Sequence, residues 1–185
     1  MQQKKGELEK AIFIYTKALD IANRKFGPQH HRTAQLLNNI ATVLEIQEKF
    51  PQAEKLCLQA LAIREKIFGD EHPEIAQSLN NLGTIYLRQE KFSEAETAFN
   101  EALRIWEKTY GTNHPETATG LDNLGLLELS RKRYDKALEF FSRAVTIREA
   151  VYGHDHSEVK ATRENISKCQ SKIDKPAVSA KQIAE

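Results

Sequence analysis

The chain has 185 residues and 27 Lys and Arg against 26 Asp and Glu, a formal net charge of +1, which argues against a surface built mainly for nucleic acid or anionic membrane. Hydrophobic residues at 40% and charged residues at 29% suit a packed core rather than a disordered chain, and eight Gly with five Pro are too few for a turn-rich all-β protein. No apolar run approaches the roughly 18 residues of a membrane span, residues 1–6 lack the apolar segment of a secretory signal, and Cys57 and Cys169 stand far apart without a CxxC partner.

The chain repeats itself. His30, His72, His114 and His156 recur at a spacing of 42, as do Gly27, Gly69, Gly111 and Gly153. Residues 72–113 laid on 30–71 without a gap give 19 identities in 42, and 114–155 laid on 72–113 give 16. In chain order, a helix is expected at about 7–25. Its Ala11 and Ala18 fall in step with Ala95 and Ala102, so it reads as the second helix of a repeat whose first helix would precede residue 1. Whole repeats follow at 30–71, 72–113 and 114–155. In the middle one, Pro73 opens the first helix, and Leu79, Leu82, Gly83 and Tyr86 form its apolar stripe. Ser93 and Glu96 fit a capping box, Ala95, Phe99, Ala102, Leu103 and Trp106 line the second helix, and Gly111 suits its C-terminus. A last helix at 156–173 stops before Lys175-Pro176, and residues 176–185 read as a flexible tail. In that helix Arg163 stands at the register of Leu37, Leu79 and Leu121, which suggests a solvent-facing cap.

The strings Leu79-Asn80-Asn81-Leu82-Gly83, Glu94-Ala95 and Ala102-Leu103, with Tyr86, Phe92, Phe99 and Ile105, resemble the tetratricopeptide repeat in the 42-residue form of kinesin light chains. Gly69-Asp70-Glu71-His72-Pro73 is similar to the linker of that subtype. The resemblance implies an all-α fold, a right-handed α-solenoid of about eight helices over residues 1–175. Ala41 departs from the pattern where Gly83 and Gly125 stand, and Cys57 where Phe99 and Phe141 stand.

Catalytic and metal roles find little support. Equivalent atoms of adjacent repeats lie on the order of 20 Å apart, so the four linker histidines cannot share an ion, and capping or packing of the linker is their expected role. His154 and His156 make at most an adventitious pair. No phosphate loop, nucleophile elbow or HExxH is present, and Cys57 reads as a core filler. Arg131, Lys132, Arg133 and Lys136 cluster at one turn, as a solvated charge run does. No enzyme activity, cofactor, nucleic acid or membrane is expected, and the compartment is expected to be cytoplasmic.

Protein binding has a column of residues behind it. Asn39, Asn81, Asn123 and Asn165 recur once per repeat in the first helix, where Asn is a mediocre helix former. A carboxamide offers a donor and an acceptor matched to a peptide unit. The resemblance places first helices on a concave face, so these four, with Asn38, Asn80, Thr84, Arg88 and Asp122, are the expected peptide-binding residues. The alternative for the asparagines is a bond to the neighbouring helix that fixes repeat packing. The expected function is a scaffold holding an extended segment of a partner protein. A regulatory segment of a larger signalling ATPase or other enzyme, and a self-assembly module, are the rival readings. The run Ile12-Phe13-Ile14-Tyr15 is apolar all round its helix, so an exposed patch is expected at Leu8, Ile12 and Tyr15, covered by upstream residues or by a second copy in a homodimer.

Overall fold

A computed structural model describes the backbone of residues 2–174 and the side chains of residues 6–174; the expected tail at 176–185 lies outside the described residues. Within them the chain is helical throughout, without a strand: α1 Gln2–Phe26, α2 His31–Ile46, α3 Phe50–Phe68, α4 Pro73–Arg88, α5 Phe92–Tyr110, α6 Pro115–Ser130, α7 Tyr134–Tyr152 and α8 Ser157–Ile173. Helix α1 starts earlier than its first apolar residue, because Gln2 to Lys5 are good helix formers and a single Gly6 is tolerated inside. Two compact units divide the chain, Met1–Thr109 and Tyr110–Glu185.

The linkers explain the 42-residue beat. Each of Gly27, Gly69, Gly111 and Gly153 has φ between 75° and 88°, the left-handed region that glycine enters without a Cβ penalty. Three residues on, each linker histidine caps the next helix. The Nδ1 atoms of His30, His72, His114 and His156 accept the N–H two residues ahead at 3.2, 3.2, 3.2 and 3.3 Å. Their rings stack on Phe26, Phe68, Tyr110 and Tyr152 at 4.1–4.7 Å. Capping and packing are thus one device, a ring that satisfies an orphan donor and staples the preceding helix.

Within hairpins, side-chain size is matched across the helix pair. A Cβ on Gly83 would meet the Phe99 ring at 2.6 Å, and one on Gly125 the Phe141 ring at 2.6 Å. In the α2–α3 hairpin Ala41 takes the glycine's place and Cys57 the ring's, both buried in one cluster with Ile40 and Leu44. The two departures read separately in the sequence are therefore one compensated exchange. Ala53, Ala60, Ala95, Ala102, Ala137 and Ala144 are all 0% exposed, as close helix contacts require.

The expected patch on α1 needs a correction. Ile12 and Tyr15 are half-buried against the cluster built by α2, α3 and α4, and Leu8 is half-buried too. The apolar side chains that α1 exposes are Phe13, Ile14 and Ile21. The run is apolar all round, as expected, but its inner half points the other way.

Candidate functional site

Four side chains recur at the joint between one hairpin and the next first helix. In the first unit Arg64 of α3, only 3% exposed, reaches α4. Its Nη1 donates to the Glu74 carbonyl at 3.0 Å and to Ser78 Oγ at 2.7 Å, and its Nη2 lies 2.7 Å from Glu74 Oε2. Asn38 of α2, 3% exposed, donates to the same Ser78 Oγ at 2.9 Å. Two repeats on, in the second unit, Arg148 of α7 faces Asp122 Oδ2, Thr162 Oγ1 and Glu158 Oε2 at 3.2, 2.5 and 3.2 Å. Thr162 donates to Asp122 Oδ1 at 3.2 Å. Burial pushes the Asp122 carboxyl above the usual range, with Arg148 opposing it.

These joints reassign part of the expected site. Asn38 and Asp122 are turned inward, and Asn38 Nδ2 and both Asp122 carboxylate oxygens are committed to helix packing. Asn80, at the same register, is buried as well. The physical reason is periodic. One residue back from the Asn39 column turns by about 100° around the helix, toward the next helix. Buried Arg64 and Arg148 escaped the sequence reading, although they share one register of the repeat, because Trp106 stands between them there and breaks the column.

The outer column stays accessible. Asn39, Asn81, Asn123 and Asn165 are each half-buried. Asn81 accepts from Gln77 Nε2 at 3.0 Å and Asn165 from Lys168 Nζ at 3.2 Å. In the first unit Thr42 and Glu45 of α2 and Asn81, Thr84 and Ile85 of α4 line one cradle. Ile85, 1% exposed, is its floor. The hydroxyls of Thr42 and Thr84 donate back to the carbonyls of Asn38 and Asn80 at 3.1 Å, which leaves their oxygens as acceptors beside the Asn81 amide. Arg88 closes one end. Its guanidinium lies 3.5 Å from Glu45 and 3.3 Å from Glu48, over the Phe50 ring. Burial raises the Glu45 carboxyl above its ordinary range, and Arg88 partly offsets that.

The reactive-looking groups are otherwise engaged. Burial pushes the Cys57 thiol up to about 12, far from a thiolate at neutral pH. His154 contacts Arg163 at 3.1 Å while His156 caps α8, and among the described residues no three His, Cys, Asp or Glu side chains gather as a metal group. Within the basic turn, Arg131 and Arg133 pair with Glu128, itself 4% exposed, at 2.8 and 3.4 Å. No helix among the described residues is long and apolar enough to cross a membrane.

A family model described as tetratricopeptide repeat matches residues 1–50, 32–108, 80–150 and 116–182. The structure is similar to that of BtubC (BKLC) from P. vanneervenii, with a TM-score of 0.77 and 24% identity over 93% of this chain and 68% of that one. It is also similar to a putative kinesin light chain from Podospora anserina with nearly identical repeats, with a TM-score of 0.71 and 19% identity over 92% of this chain and 81% of that one. No curated protein matches the sequence.

Proposed function

Because the chain belongs to the tetratricopeptide repeat family, whose repeats generally mediate protein–protein interaction, we propose that it is a non-catalytic scaffold holding an extended segment of a partner on its first helices. The observation that carries this reading is the cradle between α2 and α4. Three of its five lining residues, Thr42, Asn81 and Thr84, sit at registers the sequence marks for a groove. The cradle offers hydroxyl and carboxylate oxygens as acceptors and a carboxamide beside them, over an apolar floor. That chemistry suits a backbone N–H and C=O with a small or apolar side chain between them. Asn123 and Asn165 repeat the column in the second unit, where Asn123 lies one residue beyond the inward-turned Asp122.

The test uses extended peptides selected against the whole chain from a random display library. Asn81→Ala lowers the affinity of the selected peptides by about 0.5–1.5 kcal/mol and leaves the unfolding midpoint in place. Unchanged affinity with a clearly lower midpoint makes the asparagine a packing residue and removes the reading.

A further inference from the structure

The cradle between α2 and α4 is chemically one-sided. Thr42 Oγ1 and Thr84 Oγ1 have each committed their only hydrogen to a backbone carbonyl at 3.1 Å, so both offer the cradle an acceptor alone. Glu45 adds a carboxylate on a side chain that is 12% exposed. Against these acceptors the lining residues bring one donor group, the Asn81 amide.

Repeat packing does not require a carboxylate there. The register of Glu45 carries Leu87 in α4 and Leu129 in α6. The second unit makes the same point for the whole cradle. Leu126, Leu129 and Lys168 stand at the registers of Thr42, Glu45 and Thr84, and the two leucines pack on the cluster of Phe141 and Cys169. The acceptor-lined cradle is thus a property of α2 and α4 and not of the fold. Burying a carboxylate where leucine packs is destabilising, and local departures of this kind gather at sites of function.

The carboxylate is also short of positive charge. Arg88 lies 3.5 Å from Glu45 Oε1 and is shared with Glu48 Oε1 at 3.3 Å. Its side chain is 47% exposed and rests over the Phe50 ring. Burial opposes ionisation of Glu45, and Arg88 offsets that only in part. A second cation inside the cradle would complete the pairing.

We propose that the partner segment seats a lysine side chain in this cradle, its alkyl stem over Ile85 and its ammonium on Thr42 Oγ1, Thr84 Oγ1 and the Glu45 carboxylate. The proposal rests on the reading of the first helices as a peptide groove, and it names the residue that the groove selects. A compact ammonium offers three rotatable donors to three separate acceptors. An Arg guanidinium presents a planar fork suited to a free carboxylate edge, and Glu45 already shares an oxygen with Arg88. A side-chain amide has donors but no charge to set against Glu45. The cradle holds about 150 Å3, room for one unbranched side chain.

The probes are peptides from the random display selection against the whole chain. Each is resynthesised with every Lys in turn replaced by norleucine, which keeps the stem and drops the ammonium, and is titrated by fluorescence anisotropy. The selected peptides share one Lys whose replacement weakens binding about tenfold. In Glu45→Gln, and in Glu45→Leu with the side chain that α4 and α6 have at this register, the Lys and norleucine peptides bind within about twofold of each other. Peptides that bind and lose affinity in Asn81→Ala, but share no Lys or bind as well with norleucine, overturn the proposal and leave the groove reading standing. So does a Lys whose replacement weakens binding equally in the parent and in both Glu45 variants. Binding that is indifferent to Asn81→Ala, or no selected peptide at all, removes the groove reading and the proposal with it. A dimer in sedimentation that Asn81→Ala dissociates assigns the cradle to a second copy and overturns the proposal too.

Discussion

The stretch α2–α4 and the stretch α6–α8 use the same four joint registers with different charge. Around Arg64 the inner partner is the neutral Ser78 hydroxyl, which also accepts from the Asn38 amide, and the one carboxylate, Glu74, is 38% exposed. Around Arg148 the inner partner is the Asp122 carboxylate, 17% exposed, with Glu158 at the rim. A buried cation facing a neutral hydroxyl can be removed and leave only a lost hydrogen-bond set. One facing a half-buried carboxylate leaves an uncompensated charge behind. Quasi-equivalent repeats thus carry unequal risk at the same register, which a sum of equal repeat terms would miss.

The largest expected effect follows directly. Arg148→Met destabilises by about 3–5 kcal/mol, because the half-buried Asp122 carboxylate loses its paired cation. Arg64→Met costs about 1–2 kcal/mol, since Ser78 still accepts from Asn38 and Glu74 can turn to water. Urea unfolding of the two variants checks the inequality, and equal losses would break the comparison.

A second contrast separates the hairpins. Gly125→Ala drives a methyl into the Phe141 ring and is expected to cost about 1–3 kcal/mol. Combining it with Phe141→Cys reproduces the Ala41/Cys57 arrangement of α2–α3 and recovers part of the loss. A double variant no more stable than Gly125→Ala alone would show that the two positions are not a matched pair.

Asp122→Asn sharpens the charge argument through pH. The folded-state carboxyl sits above its ordinary value, so its contribution is fully present below the unfolded pKa and is lost as pH rises through the folded one. At neutral pH the asparagine variant is accordingly as stable as the parent or more so. That part of the pH dependence disappears in it. A neutral-pH loss as large as that of Arg148→Met would contradict this reading.

The smallest effect is common to both stretches. Glu48 and Lys132 each hold φ near 60° at the turn after a first helix, where a Cβ is strained. Replacing either by Gly is expected to stabilise by about 0.5 kcal/mol, the relief of strain being reduced by the freer unfolded chain. A thermal melt that falls in either variant sets this aside.

How much of this the sequence showed differs by layer. The helices, their order and the capping histidines were legible because the period of 42 repeats the same local chemistry at every linker. The alanines at close contacts were legible for the same reason. The joints were not, because a buried Arg reads as surface charge until its partners on another helix are known, and the middle repeat carries Trp106 at that register. The face of α1 was half legible. An apolar run such as Ile12 to Tyr15 announces burial on every side, yet only packing tells which half is covered. Asn38 and Asn39 show the limit most sharply: adjacent, identical in type, and turned about 100° apart, one inward to a joint and the other to the open column.

That pair gives the most direct test of the central claim, that first-helix asparagines divide between holding the fold and holding a partner. A display-selected peptide is titrated by calorimetry into the Asn39→Ala/Asn81→Ala double variant and into Asn38→Ala, with a thermal melt of each. The double variant is expected to bind about tenfold more weakly and to melt like the parent. Asn38→Ala is expected to melt lower, having lost its bond to Ser78, and to bind as the parent does below its melt. Full affinity in the double variant, or a melting loss there equal to that of Asn38→Ala, would contradict the account.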